Sequence, residues 1–151
     1  GRLDTGVPIS GIRNDLPVTF EEGGALPGER IVGVLMPGEG IRIFQIHSPR
    51  LREHEHQRWI DVTWDIDPER AERFPAHIKV SALNEPGSLA EIAKVIGEAD
   101  GNIDNLRMVT RAADFTEMII EVEVWDLEHL QRITAGLRMK PMVSNVERLF
   151  S

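Results

Sequence analysis

The sequence predicts an α+β protein with a small antiparallel-β domain in residues 1–64 and a βαββαβ domain in residues 76–151. Two patterns carry this prediction. The first part interleaves short apolar stretches with Gly and Pro, which is typical of short strands and tight turns. The second part switches between a hydrophobic period of two and intervals of three or four, which indicates alternating strands and helices. Residues 65–75, with a proline and alternating charges, are expected to form the linker.

Composition narrows the function classes. The chain has 151 residues, a net charge of −8 and no cysteine, so it has no disulfide, thiolate metal site or cysteine nucleophile. No apolar run approaches the roughly 20 residues of a membrane-spanning helix, so a membrane span is excluded. Lys and Arg form no dense cluster, which argues against direct binding to free nucleic acid but leaves a single docking patch on a ribosome open. With no initiator Met and no leader peptide, we expect a piece of a longer cytoplasmic protein.

The first domain is expected to contain several short strands. Residues 17–20, 31–35 and 41–44 are apolar stretches with Gly or Pro nearby. Residues 49–58 are densely charged and are expected to form a short solvated helix. Residues 59–64 follow the strand period of two, with odd-numbered residues on one face and even-numbered residues on the other. We interpret this last stretch as the strand that closes the domain.

The second domain begins with a strand at residues 77–83, followed by a turn at residues 84–87. Apolar residues then recur at three- and four-residue intervals, as expected of the buried stripe of an amphipathic helix. These are Leu89, Ile92, Ala93, Ile96 and Ala99. Residues 100–102 are expected to end this helix, because Gly and Asn tolerate the left-handed conformation found at helix ends.

The remaining elements complete the βαββαβ order. Residues 103–111 form the expected second strand, and residues 112–114 make a hairpin turn. In the third strand, Met118, Ile120, Val122 and Val124 face one way and the glutamates at 117, 121 and 123 face the other. Asp126 is the expected N-cap of a second helix, and residues 143–149 are the last strand. A sheet with one apolar and one polar face indicates antiparallel strands with both helices packed on the apolar side. Together with the βαββαβ order, this is the ferredoxin-like split motif.

The titratable residues give no support for an enzyme in this fragment, and we assign no catalytic residue and no cofactor. His54 and His56 are the only closely spaced histidines, and side chains two apart on a helix diverge, so a solvated helix is favoured over a metal site. His77 is expected on a sheet surface. The chain lacks a Gly-x-Ser-x-Gly elbow and a complete dinucleotide fingerprint.

A candidate binding site begins at the turn before the first helix. Gly87 leads straight into the helix, which lets the chain approach a ligand closely. The N–H groups of Ser88, Leu89 and Ala90 are expected to lack helical partners and to form an anion site at the positive helix end. The carboxylate of a free amino acid suits such a site.

Two asparagines and an isoleucine extend this candidate site. The side-chain amides of Asn84 and Asn102 can accept hydrogen bonds from an ammonium group, and Ile103 can contact an apolar ligand side chain. In the alternative interpretation, Pro86 and Gly87 simply make a tight turn and Asn102 ends the helix. Spacing alone leaves both interpretations open.

These residues resemble an ACT domain, a small-molecule sensing module with the same βαββαβ fold. The match runs through Asn-x-Pro-Gly-x-Leu-x-x-Ile at 84–92 and Gly-Asn-Ile at 101–103, and it covers about residues 76–151. ACT domains usually pair edge to edge and bind amino acids where the loop before the first helix meets the second strand of a partner. The resemblance implies a homodimer and a ligand site made of Asn84, Gly87, Ser88, Leu89, Asn102 and Ile103.

The first segment resembles the RIS, or zinc-finger, domain that precedes the ACT domain in long RelA/SpoT homologues. The matching motifs are Pro-Val-Thr-Phe at 17–20 and the segments 26–33, 38–43 and 58–62. Those proteins make and hydrolyse (p)ppGpp with catalytic domains that lie N-terminal to the residues present here. The resemblance implies a regulatory region whose ACT domain binds a branched-chain amino acid, with valine and isoleucine as the first candidates, and controls alarmone synthesis versus hydrolysis; the direction of that control is left open. The alternative is a ligand-free module that docks on the ribosome and tRNA or on the catalytic domains of the same chain.

The first domain departs from its family at the metal site. Many members have a cysteine pair, a histidine and a further cysteine where this chain has Gly23, Gly24, Phe44 and Ser48. None of these residues is a suitable zinc ligand, so we predict no metal here. The domain is then expected to depend on packing, for example of Phe20 and Trp64 with Phe44 and Trp59, and to be indifferent to chelators.

Overall fold

The computed structural model describes residues 8–12 and 15–150. Its elements are β1 (Ile9–Ser10), β2 (Val18–Phe20), β3 (Ile31–Met36), β4 (Gly40–Gln45), a 3-10 helix (Pro49–His54), β5 (Trp59–Asp61), β6 (Thr63–Trp64), β7 (Phe74–Leu83), α1 (Ser88–Glu98), β8 (Asn102–Arg111), β9 (Phe115–Val124), α2 (Leu127–Arg138) and β10 (Val143–Leu149). This arrangement confirms the α+β class. Within the described ranges, neither α-helix is long and apolar enough to cross a membrane.

The first domain contains a four-stranded sheet of order β2-β4-β3-β5 and a separate β1–β6 pair. β3 runs antiparallel to β4 and β5, as expected, but β2 runs parallel to β4. The reason is the path of the chain: residues 21–30 carry it from β2 to the start of β3, and the β3–β4 hairpin then returns alongside β2. The expected helix at 49–58 is a 3-10 helix whose N-cap, Ser48, accepts a hydrogen bond from the Arg50 N–H.

The strand predicted at residues 59–64 is divided between two sheets. β5 pairs with β3, whereas β6 pairs with β1, and Val62 lies between them. The predicted alternation of faces is confirmed, because the odd-numbered residues are exposed and the even-numbered residues are buried or half-buried. Residues 59–64 therefore keep the two-residue alternation of faces although the first half pairs with β3 and the second half with β1.

The aromatic side chains of the first domain do not form one cluster. Phe20 and Trp64 stack with ring centroids 5.8 Å apart, on the face that also holds Ile41 and Ile43. Phe44 is buried on the opposite face, since side chains alternate along β4. Phe44 is 1% exposed and packs in a hydrophobic core, as predicted, whereas Trp59 is 43% exposed, so the predicted packing role of Trp59 is wrong.

The second domain has the predicted βαββαβ order, and its sheet has the strand order β10-β7-β9-β8 with every pair antiparallel. Met118, Ile120, Val122 and Val124 are buried in one core with both helices, as the alternation predicts. Asp126 caps α2 by accepting the His129 N–H at 2.8 Å. The predicted helix positions and strand faces are confirmed in this domain.

Two details of α1 differ from expectation. Its buried row runs through Ser88, Ile92 and Ile96, so Leu89 lies beside that row and is 46% exposed. The prediction that Leu89 belongs to the buried stripe is therefore wrong. The helix ends at the predicted place, but the left-handed residue is Asp100, with φ of 65°, rather than the Gly or Asn that follows it.

Candidate functional site

Asn84 hydrogen-bonds the turn after β7 to the neighbouring hairpin. The Asn84 N–H donates to the Asp114 carbonyl at 3.1 Å, and its side-chain Nδ2 donates to the Ala112 carbonyl at 2.8 Å. The amide nitrogen of Asn84 therefore holds the loop in place. The atom that remains suited to accept from a ligand's ammonium group is its Oδ1.

Gly87 occupies the N-cap position of α1 with φ of 88°, which side-chain-bearing residues rarely adopt. A Cβ at this position would meet no atom of the described residues within 4 Å, so the glycine satisfies a backbone requirement and the space above it is open. Gly87 provides no side-chain cap.

The first turn of α1 has fewer available N–H groups than predicted. The Ser88 N–H donates to the Glu85 carbonyl at 3.2 Å, so the prediction that this group is available is wrong. The N–H groups of Leu89 and Ala90 lie in the first turn, where a helix supplies no acceptor of its own. Two backbone donors therefore remain at the positive end of α1.

The Ser88 hydroxyl is the unusual group at this end of the helix. Ser88 is only 6% exposed, and its Oγ has no hydrogen-bond partner among the described residues. A buried polar atom left unpaired costs about 1–3 kcal/mol. Such an atom needs an explanation, and a ligand that supplies the missing partner is one.

Apolar side chains surround the same end of the sheet. Leu83 and Phe115 are cross-strand partners on the sheet face away from the helices, and they are 45% and 40% exposed. Leu89 is exposed to a similar degree. Leu83 and Phe115 form an exposed apolar pair on one face of the sheet, whereas Leu89 lies on α1, which packs on the other face.

The second half of the predicted site lies elsewhere in the same protomer. Asn102 pairs with Glu123 at the end of the sheet where β7 begins, whereas residues 84–88 follow the end of β7. Because β7 has ten residues, at about 3.3 Å per residue the two ends are about 30 Å apart. Asn102 Nδ2 donates to the Glu123 carboxylate, and Ile103 packs against the core. One protomer therefore does not bring Asn102 and Ile103 to the loop.

Two of the four positions at which the resembling family has zinc ligands, Gly24 and Ser48, are hydrogen-bonded to Glu21 here. Ser48 Oγ donates to Glu21 Oε2 at 2.9 Å, Arg50 Nε lies 3.2 Å from Glu21 Oε1, and the Gly24 N–H donates to the Glu21 carbonyl. Phe44 is fully buried beside this group, and Gly23 precedes Gly24 in the same loop. Glu21 therefore connects the segments that a metal would connect, and the sequence analysis missed it.

Glu21 is buried, and burial raises the pKa of its carboxyl above the ordinary value, although the Ser48 hydrogen bond and the Arg50 guanidinium oppose the rise. In residues 8–12 and 15–150, no three His, Asp or Glu side chains are placed to hold a metal ion. The prediction of a metal-free domain stays a prediction.

His54 and His77 take structural positions, whereas His56 does not. The His54 ring bonds the Gln57 side chain and lies against Phe44, with centroids 5.3 Å apart. His56 is exposed beyond the 3-10 helix. His77 lies on the sheet face away from the helices, as predicted, but it is only 6% exposed and its Nε2 is 3.0 Å from Glu121 Oε1.

Residues 70–148 match the family model of the ACT domain, and residues 7–65 match the model of the RelA/SpoT RIS domain. The chain belongs to the ACT domain family. Its ACT domain follows a RIS domain, and this pair is the regulatory region of RelA/SpoT-type proteins.

The relatives that match most of this chain are much longer than it. The chain is 57% identical over 145 residues to the GTP pyrophosphokinase rsh of Brucella ovis, covering 95% of the chain and 19% of that relative. It is 29% identical over 125 residues to the bifunctional (p)ppGpp synthase/hydrolase SpoT of Escherichia coli strain K12, covering 82% and 18%. The crystal structure of the ACT domain from GTP pyrophosphokinase of Chlorobium tepidum aligns with a TM-score of 0.46 at 24% identity, over 52% of this chain and 100% of that one. The chain spans about a fifth of the length of the curated relatives it matches.

Proposed function

We propose that this chain is the regulatory region of a bifunctional (p)ppGpp synthetase/hydrolase, and that its ACT domain binds valine or isoleucine to set the balance between alarmone synthesis and hydrolysis. The observation that carries the ligand site is the buried, unpartnered Ser88 hydroxyl in the first turn of α1. The parent enzyme is inferred from the names of the relatives, which are a GTP pyrophosphokinase and a (p)ppGpp synthase/hydrolase.

The ligand's carboxylate is assigned to the first turn of α1. Ser88 Oγ and the N–H groups of Leu89 and Ala90 are donors close together in sequence, and the helix end adds a positive potential. The nearest acidic side chain on α1, Glu91, is 3.3 Å from Lys140 Nζ, and this ion pair reduces its repulsion of an anion. Asn84 Oδ1 is the acceptor proposed for the ligand's ammonium group.

A second copy of the chain is needed to bring Asn102 to this loop. β8 is the edge strand of the sheet in the described part of the chain, and an unpaired edge favours pairing with another chain. Antiparallel pairing of two β8 strands places Asn102 of one copy near Arg111 of the other. Arg111 pairs with Thr116, which pairs with Ala82 at the loop end of the sheet. The dimer therefore joins the two halves of the proposed site.

The preference for a branched-chain amino acid follows from the residues assigned to the site. The six candidate residues are uncharged, and Leu89 presents an exposed apolar surface at the first turn. A charged ligand side chain would lose its hydration there without gaining an ionic partner. Valine and isoleucine gain from burial of their apolar surface instead.

The proposal is tested by calorimetric titration of this chain with valine, isoleucine, lysine and glutamate, together with amide NMR. We expect saturable binding of valine and isoleucine only, with shifts of the Gly87, Leu89 and Asn102 signals. Unmoved signals with every amino acid would sink the sensing proposal. That result would favour a ligand-free module that docks on the ribosome and tRNA or on the catalytic domains.

A further inference from the structure

Residues 24–29 belong to the RIS domain in sequence but pack on the ACT domain in space; we call them the coupling segment. Leu26 is fully buried, and its neighbours are the apolar residues of the ACT core. The Pro27 carbonyl accepts the N–H of Leu127, the first residue of α2, at 2.9 Å. Gly24 lies so close to β7 that a Cβ on it would be 2.3 Å from the Pro75 carbonyl oxygen. The coupling segment therefore contacts both the sheet and α2.

A buried ion pair joins the end of the coupling segment to the last strand. Arg148 Nη1 donates to Glu29 Oε2 at 2.6 Å and Nη2 donates to Oε1 at 2.8 Å. The two side chains are 14% and 6% exposed. Arg148 Nη2 also reaches the Gly24 carbonyl at 3.3 Å, and the Leu26 N–H donates to Glu29 Oε1 at 2.8 Å. Removing either partner would leave a buried charge without compensation.

An aromatic contact runs in parallel with the ion pair. Trp64 stacks on Phe20 of the RIS domain and makes an edge contact with Phe74 of the ACT domain, with ring centroids 5.4 Å apart in the second case. Its Nε1 donates to the Glu29 carbonyl at 3.0 Å. Trp64 packs against both hydrophobic cores. The two cores are thus continuous through one side chain.

We propose that the coupling segment makes the RIS and ACT domains one cooperative folding unit, so that a ligand held by the ACT domain also stabilises the RIS domain. Domains that are joined only by a flexible linker open independently. Here Leu26 fills space in the ACT core, and Glu29 neutralises Arg148. Opening of the RIS domain alone would remove both from the ACT domain. The second half of the proposal rests on the proposed ligand, whereas the first half does not.

The test is hydrogen exchange of the 151-residue chain in increasing urea without ligand. In the wild type, the slowest amides of β3 and β4 are expected to follow the same urea-dependent opening as those of β7 and β9. In Arg148→Met, we expect β3 and β4 to exchange at least tenfold faster than β7 and β9. Lys140→Met is the matched control, because it removes a half-exposed ion pair within the ACT domain, and it should keep the two groups together. Separate openings in the wild type would overturn the proposal.

A milder variant guards against loss of folding in Arg148→Met. Glu29→Gln keeps the shape of the side chain and removes only its charge, so a smaller separation of the same sign is expected. If the amides of β3 and β4 exchange as slowly as those of β7 and β9 in both Glu29→Gln and Arg148→Met, the ion pair is excluded as the coupling contact. With saturating valine, wild-type amides of β3 should gain the same protection as those of β7. If valine does not bind, the proposed ligand is wrong while the ligand-free result still decides the coupling.

Discussion

Two glycine-containing loops of this chain differ in whether the polar groups in or next to them have partners among the described residues. Residues 24–29 are packed against the other domain, and the Glu29 carboxylate accepts hydrogen bonds from Arg148 and from a backbone N–H. Residues 84–87 are exposed, and the Ser88 hydroxyl that follows them is buried without a partner in the described structure. The carboxylate and backbone groups of residues 24–29 thus find their partners within the protein. The Ser88 hydroxyl, on our proposal, finds its partner in a ligand.

The largest difference is expected from a matched pair of glycine substitutions. Gly24→Ala places a methyl group against the Pro75 carbonyl at a φ of 78°, so it should lower the free energy of unfolding by about 3 kcal/mol or more. Gly87→Ala has nearly the same φ but no atom of the described residues within 4 Å of the added Cβ, so only the backbone cost of about 1–2 kcal/mol is expected. Urea unfolding of both variants measures the two values. Equal losses would show that the 24–29 loop is no more tightly packed than the 84–88 loop.

A second prediction concerns Asn102, the residue that a second copy is proposed to bring to the loop at residues 84–87. Asn102→Ala should weaken valine binding by about 1–3 kcal/mol, because the proposed dimer site loses a polar partner of the ligand, although Asn102 lies at the far end of its own protomer. Asn145→Ala, on the opposite edge strand β10, is the control and should leave the affinity unchanged. The affinities are measured by calorimetry.

Mixing variants distinguishes a shared site from a site within one copy. Equal amounts of Asn102→Ala and Ser88→Ala should regain a fraction of tight sites, because each mixed dimer holds one site with both residues intact. No recovery, together with unchanged affinity of Asn102→Ala alone, would place the whole site in one protomer.

The smallest effect is expected from Glu21, which bonds Ser48, Arg50 and the Gly24 N–H and so connects two segments of the first domain. Its folded-state pKa is raised by burial, so the folded protein holds this proton at a higher pH than the unfolded chain does. Its contribution to stability is therefore present below the unfolded pKa and is lost as pH rises through the folded pKa. Glu21→Gln should remove this part of the pH dependence. The measurement is urea unfolding at pH values from about 4 to about 8, a range that starts near the ordinary Glu pKa of about 4.3 and extends above it. The exposed neighbour Glu22 provides the control, Glu22→Gln, and an identical slope in wild type and Glu21→Gln would contradict the assignment.

The sequence predicted best those features that repeat along the chain. The alternation at 118–124 and the apolar intervals around Ile92 and Ile96 determine local geometry, and both are confirmed. Leu89 fits the same intervals but lies beside the buried row, since a pattern does not fix which of two adjacent rows faces the core. Contacts between distant segments leave no period in the sequence.

Three findings depend on such distant contacts. Leu26 fills the core of the other domain, Glu21 joins two loops, and β2 runs parallel to β4. The candidate site was likewise predicted by its residue types, whereas the separation of Asn84 from Asn102 follows only from the sheet register. The resemblance to ACT domains implied that a partner chain contributes the strand half, and this stays a prediction.

The most direct test of a ligand site in the first turn of α1 is Ser88→Ala, measured by valine titration and by urea unfolding, with Ser10→Ala in the RIS domain as the control. Because the Ser88 hydroxyl is buried without a partner in the described residues, its removal should relieve that cost and raise the free energy of unfolding of the ligand-free protein by up to about 1–3 kcal/mol. The affinity for valine should fall by about 1–3 kcal/mol, or roughly 5- to 150-fold. Wild-type affinity in Ser88→Ala, or an equal loss in Ser10→Ala, would contradict a ligand site in the first turn of α1.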